Sequence, residues 1–372
     1  MSSCGKLFRH RGLYDQAQTD ALFFKAVREN TYWHIDRCEN YREILKQQGF
    51  DIERFNDYDD LFQLPPIPTL YLKRNPLYSM PVQRMRMVST TTGTSGQPVS
   101  VGFDPRALLN GAPMLYRTLQ KHKLFSMKPT NYVILGYQPS KRNQMGAVRT
   151  AYVSTFFAPA RHREFALKDN GSDYELNIEG VLNALCRYQN QKSPVRIHGF
   201  PAYLYFLTKK LEQEKLRLTM PAKSMIFLGG GWKQFASEQV EKRELYELAD
   251  RWLGIPESQF REFFGVVEHN VPYCDCKNHH FHVPIYSRVL VRDIQTLRPQ
   301  PFGEPGILNL ITPLLKSMPL TSILTDDIAV LYDGKSCGCG IETPYFEILG
   351  RAGLKDIKTC TAGAASILEA GQ

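Results

Sequence analysis

Three times between residues 195 and 268 a short apolar run ends in glycine and gives way to polar or helix-forming residues. Val195-Arg196-Ile197-His198-Gly199 leads into Phe200-Pro201, Ser224-Met225-Ile226-Phe227-Leu228 into Gly229-Gly230-Gly231, and Glu262-Phe263-Phe264 into Gly265-Val266-Val267-Glu268. Short, nearly continuous apolar runs are the mark of strands buried on both faces. Helical spacing fills 201–216 and 237–253, with Pro201 placed where a first helical turn accepts proline. Strand, glycine turn and helix in alternation define an α/β body, with ligands expected outside the carboxyl ends of its strands.

The same reading extends in both directions. Asn131–Gly136 is an apolar strand, Thr150–Phe157 a second possible strand, and Ile178–Gln189 a helix. Residues 13–80 are mainly helical, with Leu22, Phe23, Ala26 and Val27 at helical spacing, and close on Leu64-Pro65-Pro66-Ile67-Pro68, whose prolines force an extended connection. Beyond 271 the texture changes to short strands such as Ser287–Val291 and Gly306–Leu310. The expected organisation is a helical segment at 1–80, an α/β body at 81–270, a β-rich subdomain at 271–350 and an arm at 351–372.

Between β-like runs at 85–88 and 99–103 lies Thr90-Thr91-Thr92-Gly93-Thr94-Ser95-Gly96-Gln97-Pro98. Gly93 and Gly96 permit positive φ, so consecutive N–H groups can converge on an anion, and the hydroxyls of Thr91, Thr92, Thr94 and Ser95 add donors for phosphate oxygens. The spacing matches neither the dinucleotide glycine fingerprint nor the lysine-ended P-loop. A net charge of +9, from 46 basic and 37 acidic side chains, suits an anionic ligand such as ATP or an acidic partner. The basic residues read as scattered over helical faces, with no arginine-rich arm or aromatic-basic surface for nucleic acid. No run is long and apolar enough to span a bilayer and the start lacks a signal-peptide pattern, so a cytoplasmic location is expected.

Eight cysteines without a secretory signal argue against a disulfide framework. Cys186 reads as a small core residue, while two C-x-C pairs, Cys274/Cys276 and Cys337/Cys339, stand apart from the rest. With His279, His280 and His282 they supply enough soft ligands for a tetrahedral structural zinc site.

The Gly/Thr stretch resembles the phosphate-loop signature of adenylate-forming enzymes, which activate a carboxylate as acyl-AMP. Further stretches follow in the order of that superfamily's phenylacetate–CoA ligase-like branch. By this resemblance Gly229, Gly230 and Gly231 line the adenine pocket, Glu268 serves Mg²⁺ and ATP, Asp327 in Leu324-Thr325-Asp326-Asp327 holds the ribose hydroxyls, and Gly350-Arg351 is the hinge. The sequence departs from the pattern at Gln97, Val267, Leu324 and Gly353; Lys233 is a candidate to supply a lost phosphate contact. The related zinc arrangement of that branch points to Cys276, His282, Cys337 and Cys339, with Cys274 and His280 as alternates.

Only 21 residues follow Arg351, fewer than the small domain that brings coenzyme A to the acyl-AMP in such ligases requires. The expected fold is therefore the large adenylation domain without that small domain. The tail holds Lys355-Asp356-Ile357-Lys358-Thr359-Cys360, a thiol with lysines nearby to favour its ionised form. A near-terminal acceptor cysteine, together with Trp232-Lys233 and Gly199-Phe200-Pro201, resembles the acyl-protein synthetases of bacterial luminescence systems, the LuxE family. That resemblance implies activation of a long-chain fatty acid, transfer to Cys360 as a thioester, and delivery to a partner acyl-protein reductase. A short acyl–CoA ligase and a non-catalytic nucleotide- or zinc-binding scaffold stay open as alternatives. His198 is expected to be a hydrogen-bonded turn residue, or else to orient substrate.

Overall fold

A computed structural model of the chain describes residues 1–90, 99–140, 143 and 146–352; of Gly146, Ala147, Lys233, Gln234 and Ala236 it describes the backbone alone. The chain divides into two compact units, one of Met1–Thr118 with the described residues from Gly265 onward, the other of Leu119–Phe264.

Within the second unit the strands of a seven-stranded sheet run in the order Phe260–Val266, Met225–Gly229, Val195–Gly199, Thr130–Tyr137, Ala160–Asp169, Tyr174–Leu176. The first five strands are parallel neighbours and the last is antiparallel to its partner. Helices Ile178–Gln189, Pro201–Gln213 and Lys242–Leu253 supply the crossovers that parallel pairing demands. Their apolar stripes meet one face of the sheet in a core that includes Val133, Leu135, Leu185, Ile197, Leu204 and Ile226. Gly199 is required by close packing, since a Cβ there would lie 2.5 Å from the Leu135 side chain and 2.7 Å from its carbonyl. Cys186 is half-buried against this core instead of within it.

One expectation fails here. Thr150–Phe157 is not a strand; the backbone forms the helix Gly146–Ser154 and then turns. Its Tyr, Val, Thr and Phe residues favour pleated structure, but the place beside Thr130–Tyr137 is taken by Ala160–Asp169. That strand was missed because Arg161, His162, Arg163 and Glu164 conceal its period. The helix expected from Ser237 begins only at Lys242, after a 3₁₀ segment Lys233–Glu238.

In the first unit a sheet of six strands runs Phe281–His282, Tyr345–Arg351, Ser322–Tyr332, Pro305–Ile311, Arg288–Arg292, with the short Ile67–Pro68 parallel to Ser322–Tyr332. A separate antiparallel pair, Met87–Thr90 with Ser100–Phe103, has Thr90 opposite Ser100. The sequence blocks 1–80 and 271–350 fall within this one unit. The helix Gln16–Arg37 explains why, because its polar side chains satisfy a distant turn. Asn30 Nδ2 donates to the Leu315 carbonyl at 2.8 Å, Trp33 Nε1 donates to the Lys316 carbonyl at 3.0 Å, and Thr321 Oγ1 donates to Asn30 Oδ1 at 2.6 Å. Around these bonds Phe8, Phe23, Tyr41, Tyr286, Met318 and Ile323 share a core.

Candidate adenylation and metal sites

Antiparallel register is what assembles the first site. Pairing of Ser322–Tyr332 with Tyr345–Arg351 sets Arg351 opposite Asp327, with a register irregularity between Ile328 and Ala329. Arg351 Nε lies 3.5 Å from Asp327 Oδ1, and its Nη1 lies 3.8 Å from Asp326 Oδ2. Successive strand residues ordinarily face opposite ways; beside this irregularity both carboxylates come within reach of one guanidinium, in keeping with the way bulges re-aim side chains. Asp327 is buried, and its backbone N–H donates to Thr325 Oγ1 at 3.1 Å.

Glu268, just past the strand Phe260–Val266, is 4 % exposed. Burial pushes its carboxyl up to about 7; Asp326 and Asp327 push the same way, while its own backbone N–H and Lys73 pull it down. Lys73 comes from the helix Thr69–Arg74. Asp326 and Asp327 thus share one guanidinium, and the buried Glu268 lies within electrostatic reach of both and of Lys73. The sequence pointed to Glu268, Asp327 and Arg351, which the fold gathers in one unit. Asp326 was passed over although it adjoins Asp327, and Lys73 carries no local signal.

Other expected residues stand elsewhere. Gly229, Gly230 and Gly231 end a strand of the second unit, with φ of +78° at Gly230 and +66° at Gly231. Thr91, Thr92, Gly93, Thr94, Ser95 and Gly96 lie outside the described residues, as do Cys360 and the side chain of Lys233. His198 belongs to the strand Val195–Gly199, not to a turn. Its Nδ1 lies 2.6 Å from Ser154 Oγ, and burial, helped by Arg196, holds it far below the usual histidine range. Such an imidazole is neutral.

A second cluster joins Cys276, His282, Cys337 and Cys339, whose ligand atoms all lie within 4.8 Å of one another. Cys276 Sγ is 3.6 Å from Cys337 Sγ, and Cys339 Sγ is 3.2 Å from His282 Nε2. Local structure aims each donor. Gly338 and Gly340, at φ +70° and +93°, turn the chain sharply around Cys339. Pairing of His282 with Tyr345 fixes the histidine on a strand. Its Nδ1–H donates to the Thr343 carbonyl at 2.8 Å, which leaves Nε2 as the lone-pair nitrogen. Backbone N–H groups of Asn278 and Ile341 donate to the sulfurs of Cys276 and Cys339, both at 3.3 Å. Burial, reinforced by the neighbouring thiols, pushes Cys337 up to about 12. These are the four residues that the resemblance favoured. The alternates sit beside them: Cys274 is buried next to Asp275, and His280 lies with Nδ1 3.1 Å from Cys337 Sγ and Nε2 3.1 Å from Glu347.

Residues 11–368 match the model of the family described as Acyl-protein synthetase, LuxE. The chain belongs to this acyl-protein synthetase family. Among relatives of the LuxE family it is similar to the long-chain-fatty-acid–luciferin-component ligase of Aliivibrio fischeri, 23% identical over 361 residues that span 93% of this chain and 88% of the relative. The protein of the same name from Vibrio harveyi is 22% identical, over 94% of this chain and 88% of its own length. Among solved structures, an open conformation of 2-hydroxyisobutyryl-CoA ligase in complex with 2-HIB-AMP and CoA aligns with a TM-score of 0.64 and 15% identity, covering 92% of this chain and 71% of that one. The likeness shows the fold, the mixed α/β architecture of adenylate-forming ligases. Among the described residues no helix is long and apolar enough to cross a membrane.

Proposed function

We propose that this LuxE-family chain activates a long-chain fatty acid with Mg·ATP as acyl-AMP and then carries the acyl group on Cys360. The single observation that carries the reading is the Glu268, Asp326, Asp327 and Arg351 cluster in a chain of this family. A carboxylate oxygen of the fatty acid attacks the α-phosphorus of ATP and pyrophosphate leaves. The Cys360 thiolate then attacks the carbonyl carbon of the mixed anhydride, and AMP leaves. Glu268 would serve Mg²⁺ as the family resemblance implies, and the ion when bound would supply charge stabilisation to the phosphates. Asp327, oriented by Arg351, accepts hydrogen bonds from the ribose hydroxyls. By the same resemblance the Thr91–Gly96 segment would donate to phosphate.

Cys276, His282, Cys337 and Cys339 fit a structural Zn²⁺. Three sulfurs and one oriented imidazole nitrogen converge, and a buried thiol as hard to ionise as Cys337 becomes a thiolate ligand when a cation takes that place. The reading includes hand-off of the thioester to an acyl-protein reductase in a hetero-complex, in the cytoplasm. Exchange of labelled pyrophosphate into ATP tests the first step. It should depend on added tetradecanoate and Mg²⁺; exchange indifferent to the fatty acid would contradict the proposal.

A further inference from the structure

The excess positive charge is not spread evenly. From residue 105 to 163 the chain carries ten lysines and arginines and no aspartate or glutamate, so an acid-free stretch of 59 residues holds one more positive charge than the net +9 of the whole protein. The sequence reading of scattered basic residues missed this because the cations are spaced along helices, loops and strands instead of forming a run.

Within the second unit, part of this stretch builds an exposed apolar surface. After the helix Pro105–Lys121 comes Lys121-His122-Lys123-Leu124-Phe125-Ser126-Met127-Lys128. Leu124 is buried, whereas Phe125 is 50 % and Met127 76 % exposed. The Ser126 N–H donates to the Phe157 carbonyl at 3.0 Å, which sets this loop against the turn that follows the helix Gly146–Ser154. On that turn Val153 is 45 % and Phe156 58 % exposed, with the Arg163 guanidinium 5.2 Å from the Phe156 ring centre. The strands that follow the two segments, Thr130–Tyr137 and Ala160–Asp169, pair in parallel with Tyr132 opposite Arg163. Four exposed apolar side chains thus lie on two hydrogen-bonded segments, with Lys121, Lys123 and Lys128 on the first and Arg163 against the Phe156 ring of the second.

We propose that this face docks on an anionic lipid surface. Exposed apolar side chains, flanked in sequence by long cationic ones, match an interface in which apolar tips enter the acyl boundary while cations meet headgroup phosphates. An acidic protein partner would call for fixed carboxylate-matching forks, and nucleic acid for a groove with stacking platforms. Here lysines predominate in the loop, and two of the four tips are the aliphatic Met127 and Val153.

Sedimentation of the full chain with vesicles tests it. Vesicles of phosphatidylcholine with about 40% phosphatidylglycerol, at about 0.1 M salt, should bind the protein at least about tenfold more strongly than phosphatidylcholine alone. Phe125→Ser with Met127→Ser, and separately Lys123→Glu with Lys128→Glu, should each weaken binding about tenfold while thermal unfolding stays unchanged, because all four side chains are exposed. Equal binding to neutral vesicles, or wild-type binding by both double variants, would overturn the proposal. So would failure to bind vesicles together with retention on immobilised poly-glutamate, which would assign the face to an acidic protein.

Discussion

At the residue scale, burial of Glu268 carries a folding cost that the proposed site would explain. Its carboxyl is raised from the ordinary value of 4.5 to about 7. A group raised in this way favours the fold fully below its unfolded value and loses that contribution as the pH climbs through 7. At pH 8 the ionised, buried Glu268 therefore costs on the order of 3 kcal/mol. Glu268→Gln should unfold at a higher temperature than wild type at pH 8, with fatty-acid-dependent pyrophosphate exchange about 100-fold lower. A variant that is no more stable and fully active would remove Glu268 from the site. Glu268 and Asp327 were legible because each stands within a short spaced pattern. Lys73 was not, because it reaches the cluster only through the placing of the helix Thr69–Arg74, with no local sign of it.

At the scale of elements, the parallel strands and their glycine turns could be read because each carries its own signal: apolar runs, Pro201 at a helix start, a glycine at Gly199 where Leu135 leaves no space for a side chain. Thr150–Phe157 shows the limit, since local propensity favoured a strand and the sheet gave the place to Ala160–Asp169. The Cys/His cluster was legible for the opposite reason: ligand chemistry restricts residue type and spacing more tightly than packing does. Its strands, Phe281–His282 and Tyr345–Arg351, belong to the sheet that also presents Asp327 and Arg351. Removal of bound metal with a strong chelator, or Cys337→Ser, should lower the unfolding temperature by roughly 5–10 °C, consistent with loss of several kcal/mol from a chain of this size. The purified protein should hold about one zinc per chain by elemental analysis. Absence of metal, with unfolding unaffected by chelator, would contradict the assignment.

For the whole molecule, three buried histidines on separate elements set the response to acid. His34 and His269 are held at about 3 and His198 well below the ordinary value, in each case chiefly by burial. A neutral histidine in the fold and a protonated one in the unfolded chain make stability fall as pH drops below 6.5, by up to about 1.4 kcal/mol per pH unit for each. Glu268 opposes one of the three, because its raised carboxyl gains a proton in the fold over the same range. The urea midpoint should therefore drop steeply between pH 6.5 and 5; a flat or rising midpoint would contradict this balance. The tie between the helix Gln16–Arg37 and residues 315–321 was not legible, because Asn30 and Trp33 meet backbone groups some 285 positions away. Hydrogen bonds of that span leave no periodicity to read.

In the proposed reaction one chain both activates and carries the acyl group. Intact mass after incubation with Mg·ATP and tetradecanoate, wild type beside Cys360→Ser, tests it most directly. Wild type should gain one hydroxylamine-labile acyl adduct and the variant none. An adduct that persists on Cys360→Ser, or pyrophosphate exchange without any adduct on wild type, would contradict it.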